Sequence, residues 1–105
     1  MSVPFRPSYA ATVSINVSSS SQAVQIQPTG TTGTWQVRIV NDGTATVWLR
    51  FGDAGVAATI PNGSTAGGFP LPAGAIEVLT VVGTHVAAIA AGSTGSIYFT
   101  PGQGI

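Results

Sequence analysis

Apolar and polar residues alternate along much of this chain, which is the pattern of β-strands that bury one face. Loops rich in glycine, proline, serine and threonine separate the alternating runs. The segment 69–74 carries two prolines and therefore suits a sheet edge, where a missing N–H is tolerated. Outside two candidate hairpins, the pattern predicts strands over residues 13–17, 23–27, 56–60 and 96–100.

A hairpin is predicted over 34–51, around the turn 41–43. A two-residue turn would mix polar and apolar residues on both faces, whereas a three-residue loop with Gly43 in the left-handed conformation separates them. On the apolar face this register gives three pairs: Val37 with Val47, Trp35 with Leu49, and Ile39 with Ala45. On the polar face it gives three more: Gln36 with Trp48, Arg38 with Thr46, and Thr34 with Arg50.

A second hairpin is predicted from the strands 76–82 and 85–90, joined by the turn Gly83–Thr84. Glycine in the first turn position is typical of a type II′ turn. Both faces of this hairpin are apolar. We therefore expect it either at the centre of a sandwich or pressed against another subunit.

The strand count and spacing predict an all-β fold: a single-domain antiparallel β-sandwich, jelly-roll or Ig-like, of about seven to eight short strands. The sandwich is expected over residues 11–105, ending in a tail from Pro101, and preceded by an extended arm over 1–10 that two prolines stiffen. No apolar run is long enough to span a bilayer, and the first residues lack the apolar centre of a signal peptide. We expect synthesis in a cytoplasm and no membrane partner.

Charged residues make up 6% of the chain, where a typical soluble domain has about 25%. There is no lysine and no cysteine, and the net charge is zero. Three arginines cannot make the row of phosphate contacts that nucleic-acid binding needs, so nucleic acid is not an expected partner. Binding is expected to rest on shape, apolar contact and neutral hydrogen bonds, and to tolerate salt.

The few side chains that could bind a metal or act in acid–base catalysis lack the second residue that such chemistry needs. His85 is the sole histidine, and it adjoins a tight turn, which favours a structural role. Asp42 and Asp53 lie in turn segments that prefer aspartate, and this leaves Glu77 without a second carboxylate. We therefore expect no enzyme activity, no catalytic residues, no metal and no cofactor.

Trp48 is the leading candidate for a binding residue, because tryptophan and arginine are enriched among interface anchors. Two interpretations stand side by side: Trp48 is an exposed anchor on the polar face, or a neighbouring strand or the N-terminal arm covers it within the monomer. The aromatic residues of the arm must also find a groove, in this subunit or another. The candidate interface residues are Phe5, Arg6, Tyr9, Gln36, Arg38, Trp48 and Arg50.

Three segments carry a resemblance to known proteins: WQVRIVNDGTATVWLRFG at 35–52, FPLPAGAIEVL at 69–79 and GSTGSIYFTPG at 92–102. Through them the stretch 34–104 resembles small all-β structural proteins of tailed bacteriophages that decorate or cement capsids. The resemblance is a general likeness and not a diagnostic motif, and it assigns no catalytic or ligand residue to this chain.

The resemblance implies a non-enzymatic virion protein on the outer surface of a capsid, made in the host cytoplasm and bridging subunits of the major capsid protein. It also implies a homo-oligomer, with a trimer favoured over a dimer. The alternative is a glycan- or receptor-binding module of a phage tail or fibre, in which Trp48 supplies an aromatic platform and Gln36 and Arg50 supply hydrogen bonds.

Overall fold

A computed structural model describes residues 6–7, 11–26, 35–81 and 83–103. The described residues form nine β-strands and no helix, so no helix there spans a membrane. The strands are β1 (Arg6–Pro7), β2 (Val13–Val17), β3 (Gln22–Gln25), β4 (Trp35–Asn41), β5 (Val47–Gly52), β6 (Phe69–Leu71), β7 (Ile76–Val81), β8 (His85–Ile89) and β9 (Gly95–Gln103).

Two antiparallel sheets pack face to face, which confirms the predicted β-sandwich. In the front sheet, β9 lies between β4 and the edge strands β1 and β2, and β7 follows β4 at the other edge. The back sheet has the order β3-β8-β5-β6.

The core lies between the sheets, and strand alternation supplies it. The predicted inward residues Ile15 and Val17 are buried, as are Val37 and Ile39 of β4. Phe99, on the central strand β9, is the largest of the fully buried side chains. Burial of this apolar surface is the main source of the sandwich's stability.

The first predicted hairpin is wrong. β4 pairs with β7 and β9 in the front sheet, whereas β5 pairs with β6 and β8 in the back sheet. Val37 and Val47 are both buried, but they come from opposite sheets. The hydrophobic pattern specifies which face of each strand is buried, and a crossing between sheets satisfies it as well as a hairpin does.

Asn41, the last residue of β4, is fully buried and joins the two sheets. Its Nδ2 lies 3.0, 2.9 and 3.1 Å from the carbonyl oxygens of Ala45, Leu71 and Pro72. Its Oδ1 accepts a hydrogen bond of 3.0 Å from the N–H of Gly43. The side chain thus satisfies backbone groups that the crossing from β4 to β5 would otherwise bury without partners.

Thr94, just before β9, holds the other side of this crossing. Its Oγ1 accepts hydrogen bonds from the N–H groups of Thr44 (2.9 Å) and Ala45 (2.8 Å). Gly43 does not have the predicted left-handed backbone conformation. Glycine is needed there for space instead, since a Cβ at Gly43 would lie 2.6 Å from the carbonyl oxygen of Thr94.

The second predicted hairpin is wrong for the same reason. β7 belongs to the front sheet and β8 to the back sheet, so the turn at Gly83 also crosses between sheets. Gly83 has φ of 122°, and a Cβ there would lie 2.7 Å from the carbonyl oxygen of Gly52. Strand β8 is central in its sheet, whereas β7 is an edge strand.

Three smaller predictions have mixed outcomes. The edge position of the segment that begins at Phe69 is confirmed, because β6 is an edge strand. The predicted strand over 56–60 does not form. The last strand does not end at Thr100 but continues through Pro101 to Gln103.

Pro101 is tolerated inside β9 because of where its missing N–H would point. The N–H of Asp42 donates to the carbonyl oxygen of Ser96. Because hydrogen-bonded residues alternate along an antiparallel strand, the even-numbered residues of β9 bond toward β4 and the backbone groups of the odd-numbered ones point away from it. On that other side the pairing with β2 runs to Phe99, and the pairing with β1 begins at Gly102. Pro101 therefore falls between the two ladders.

We predict that Asn41→Leu lowers the free energy of unfolding by about 3 kcal/mol, because it leaves buried carbonyl groups without a donor. Asn62→Leu, at an exposed loop asparagine, is the control and should change stability by less than about 0.5 kcal/mol. Urea unfolding of both variants measures the difference. Equal effects would show that the Asn41 amide does not hold the sheets together.

We also predict that Gly43→Ala costs about 2 kcal/mol, because the added methyl group meets the Thr94 backbone. Gly92→Ala is the matched control, since no atom lies within 4 Å of a Cβ at Gly92. Thermal unfolding of the pair should show a lower melting temperature for Gly43→Ala only. An unchanged melting temperature for Gly43→Ala would contradict this close approach.

Candidate functional site

The arm residues proposed for binding are only partly within the described structure. Phe5 and Tyr9 lie outside the described residues. Arg6 begins the two-residue strand β1, and its backbone is opposite Gln103 of β9. At least this part of the arm extends the front sheet.

The other predicted interface residues do not form one face. Gln36 and Arg38 lie on the outer face of the front sheet, since they alternate with the buried residues of β4. Trp48 and Arg50 lie on the outer face of the back sheet for the same reason. The predicted neighbours Gln36 and Trp48 are therefore separated by the whole sandwich, because the hairpin that would pair them does not form.

A segment over residues 53–68, which we call the cover segment, crosses the outer face of the back sheet. The N–H of Ala58 donates to Ser21 Oγ (2.9 Å) beside the edge strand β3, and Gly68 leads into β6 at the opposite edge. Ala58 and Ala87 are buried at 2% and 0% exposure, yet neither belongs to the cluster between the sheets. Ala87 alternates with core residues of β8 and so faces outward, beneath this segment.

Trp48 is half-buried on this partly covered face. In the strand register it lies between Pro70 of β6 and Ile89 of β8. Its burial falls between the two interpretations of Trp48, because the residue is neither fully covered nor fully exposed. Arg50, two residues further along β5, is exposed.

The outer face of the front sheet carries a row of neighbouring apolar side chains. Tyr98, Val40 and Ile76 lie side by side on three adjacent strands, β9, β4 and β7. Val78 lies on the same face next to Arg38. We call Val40, Ile76, Val78 and Tyr98 the front-face patch.

Exposure distinguishes this patch from the core. Ile76 is 55% exposed and Tyr98 is 38% exposed, and the two valines are half-buried. Polar side chains border the patch: Arg38 is exposed, and Gln36 Nε2 donates to Thr80 Oγ1 at 3.4 Å. An apolar surface with a polar border is typical of a protein-docking surface, since it buries apolar area without leaving charges unpaired.

Two of the reactive side chains, His85 and Asp53, have local partners. Thr84 Oγ1 and His85 Nδ1 are 2.8 Å apart beside the β7–β8 connection. Asp53 Oδ1 accepts from the N–H of Gly55 at 2.9 Å within its own turn. Among the described residues, no three His, Cys, Asp or Glu side chains are grouped as metal ligands would be.

Neither a family model, nor a curated protein, nor a solved structure matches this chain. The candidate site therefore rests on the geometry of the front sheet.

Sequence reasoning did not single out any of the four patch residues. One signal pointed toward them, namely that the run from Ile76 is apolar on both faces, as a strand pressed against another subunit would be. Tyr98 carries no such signal, because a single tyrosine between isoleucine and phenylalanine fits any half-buried strand. Only the order of the strands places Tyr98, Val40 and Ile76 next to one another.

We predict that Ile76→Thr leaves the free energy of unfolding within about 0.5 kcal/mol of the parent value, because Ile76 is not needed for the core. Ile97→Thr, at a fully buried isoleucine, is the matched comparison and should cost about 3 kcal/mol. Urea unfolding distinguishes them. A large loss for Ile76→Thr would mean that this residue serves folding and is not free for docking.

Proposed function

We propose that this chain is a non-enzymatic structural protein of a phage virion, which decorates or cements the outer surface of the capsid by bridging capsid subunits. The resemblance of residues 34–104 to capsid-decorating phage proteins supports the virion part of the proposal. The scarcity of charged and nucleophilic side chains supports a passive role. A surface protein of this kind is made in the host cytoplasm and acts on the particle.

The front-face patch is the observation that carries the docking role. Its exposed members Ile76 and Tyr98 lie on a regular sheet face, and the exposed Arg38 adds hydrogen-bond donors next to them. Such a face suits a broad protein surface and does not enclose a small molecule. Because the contacts are mainly apolar, binding should persist as salt varies outside the cell.

The partner in this proposal is the major capsid protein, in a repeated lattice. A single patch of this size supplies few contacts, so several linked copies that bind neighbouring capsid subunits would gain strength from multivalency. The arm residues Phe5 and Tyr9 remain a second proposed anchor. The proposal involves neither nucleic acid nor a membrane.

The glycan-binding alternative has less support from the geometry. It grouped Trp48, Gln36 and Arg50 in one site, and Gln36 lies on the opposite face of the sandwich from the other two. Of these three residues, a sugar site on the back sheet would retain only Trp48 and Arg50.

We predict saturable binding to empty shells of the major capsid protein from a phage that encodes this chain, at a simple ratio to the capsid subunit. The Ile76→Thr/Tyr98→Ser double variant should bind at least about tenfold more weakly, because it removes the exposed apolar contacts. Ile60→Thr is the matched control: Ile60 is also exposed, at 38%, but lies in the cover segment, and its loss should leave binding unchanged. Co-sedimentation with shells measures the binding of the parent protein, the double variant and the control.

Salt provides an independent check, since apolar docking should vary little between about 0.05 and 0.5 M salt. No binding to shells by the parent protein would overturn the proposal. Binding to a glycan array that is abolished by Trp48→Ser would favour the tail or fibre alternative.

A further inference from the structure

Strand β7 forms one edge of the front sheet, and its outer side is unpaired in the described part of the chain. It bonds to β4 on one side, over six residue pairs from Trp35–Val81 to Val40–Ile76. It is also the longest of the strands at the sheet edges; the others are β1, β2, β3 and β6. An open edge of this length is a template for another strand.

Along β7, residues that bond toward β4 alternate with residues whose backbone groups point outward, and one hydrogen bond shows which are which. The N–H of Asn41 donates to the carbonyl of Ala75 (3.0 Å), which makes Glu77, Leu79 and Val81 the residues that bond toward β4. The N–H and C=O groups of Ile76, Val78 and Thr80 therefore face the open edge. No hydrogen bond to these groups occurs among the described residues.

β7 also has few of the features that usually protect an edge. It contains no proline, no lysine and no arginine, and its single charge is Glu77. By contrast, β6 has three residues with Pro70 at its centre. At the β2 edge, Gln22 Nε2 donates to the carbonyl of Asn16 at 2.9 Å. The β2 edge is therefore partly bonded within the chain, whereas the β7 edge has no such bond among the described residues.

We propose that two copies of this chain pair along β7, antiparallel and about a two-fold axis at Val78. In this register Val78 is opposite Val78 of the partner subunit, and Ile76 is opposite the partner's Thr80. Each of these pairs would exchange two backbone hydrogen bonds, because all of the outward-facing groups belong to these residues.

The pattern of β7 fits a second copy in particular. The outward-facing residues are evenly spaced around Val78, so the edge is complementary to itself when reversed. Glu77 is opposite the partner's Leu79, so the two carboxylates do not face each other. The zero net charge of the chain adds no long-range repulsion between the copies.

Pairing would join the two front sheets into one continuous sheet. Opposite residues of an antiparallel pair point to the same face, so the two front-face patches would form one larger apolar surface. This inference stands apart from the virion proposal, since it concerns only copies of this chain. It predicts a dimer, whereas the resemblance to capsid-decorating proteins favours a trimer.

Cysteine pairing tests the register, because the chain has no cysteine of its own. Opposite residues lie about 5.5 Å apart between Cα atoms, within the range that a disulfide spans. Under mild oxidation Val78→Cys should cross-link to itself, whereas Ile76→Cys and Thr80→Cys should each stay largely uncoupled alone and cross-link when mixed. Equal cross-linking of an Ala91→Cys control, at an exposed turn, would overturn the assignment.

The mass in solution provides the second test, by analytical ultracentrifugation over a range of concentrations. The parent protein should show twice the 10.5 kDa chain mass, and Val78→Lys should weaken the dimer at least about tenfold because it places two ammonium groups opposite each other. Ala91→Lys adds the same charge elsewhere and should leave the dimer intact. A monomer at millimolar concentration, a trimer, or a dimer insensitive to Val78→Lys would each overturn the proposal.

Discussion

The buried amide of Asn41 determines how the two sheets are joined, and the strand partners on either side depend on that junction. It lies at the end of β4 in the front sheet and bonds to the carbonyl of Leu71 in the back sheet at 2.9 Å. A buried polar group is costly unless its hydrogen bonds are made, and here its donors and its acceptor are all used. The amide thus favours a crossing between sheets over the hairpin that the local sequence suggests.

Thr94 and Gly43 complete this junction from the two sides. The threonine hydroxyl accepts from two backbone N–H groups of the crossing, and the glycine permits that contact because it has no side chain. With β4 and β5 held in different sheets, β4 is free to pair with β7 and β9. A small polar network therefore selects one strand order among several that would bury the same apolar residues.

The strand order makes the two outer faces unequal. The cover segment crosses the back sheet and buries Ala87, whereas the outer face of the front sheet keeps the front-face patch accessible. The same order places β7 at an edge, so an open row of backbone groups borders an exposed apolar surface. In a chain with so few charges, these two features are the basis of the proposed capsid docking and of the proposed pairing between copies.

The sequence by itself determined the all-β class, the inward face of most strands and the lack of a motif for catalysis or metal binding. These follow from local alternation and composition, as in Ile15, Val37 and Leu49, which are buried as the pattern requires. Tertiary structure alone decided the partners of the strands, and hence the separation of Gln36 from Trp48 and the meeting of Tyr98 with Val40 and Ile76. The physical reason is that the periodicity of a strand records which side is buried, while its neighbours are chosen by contacts between residues far apart in sequence, such as Asn41 with Leu71 and Thr44 with Thr94.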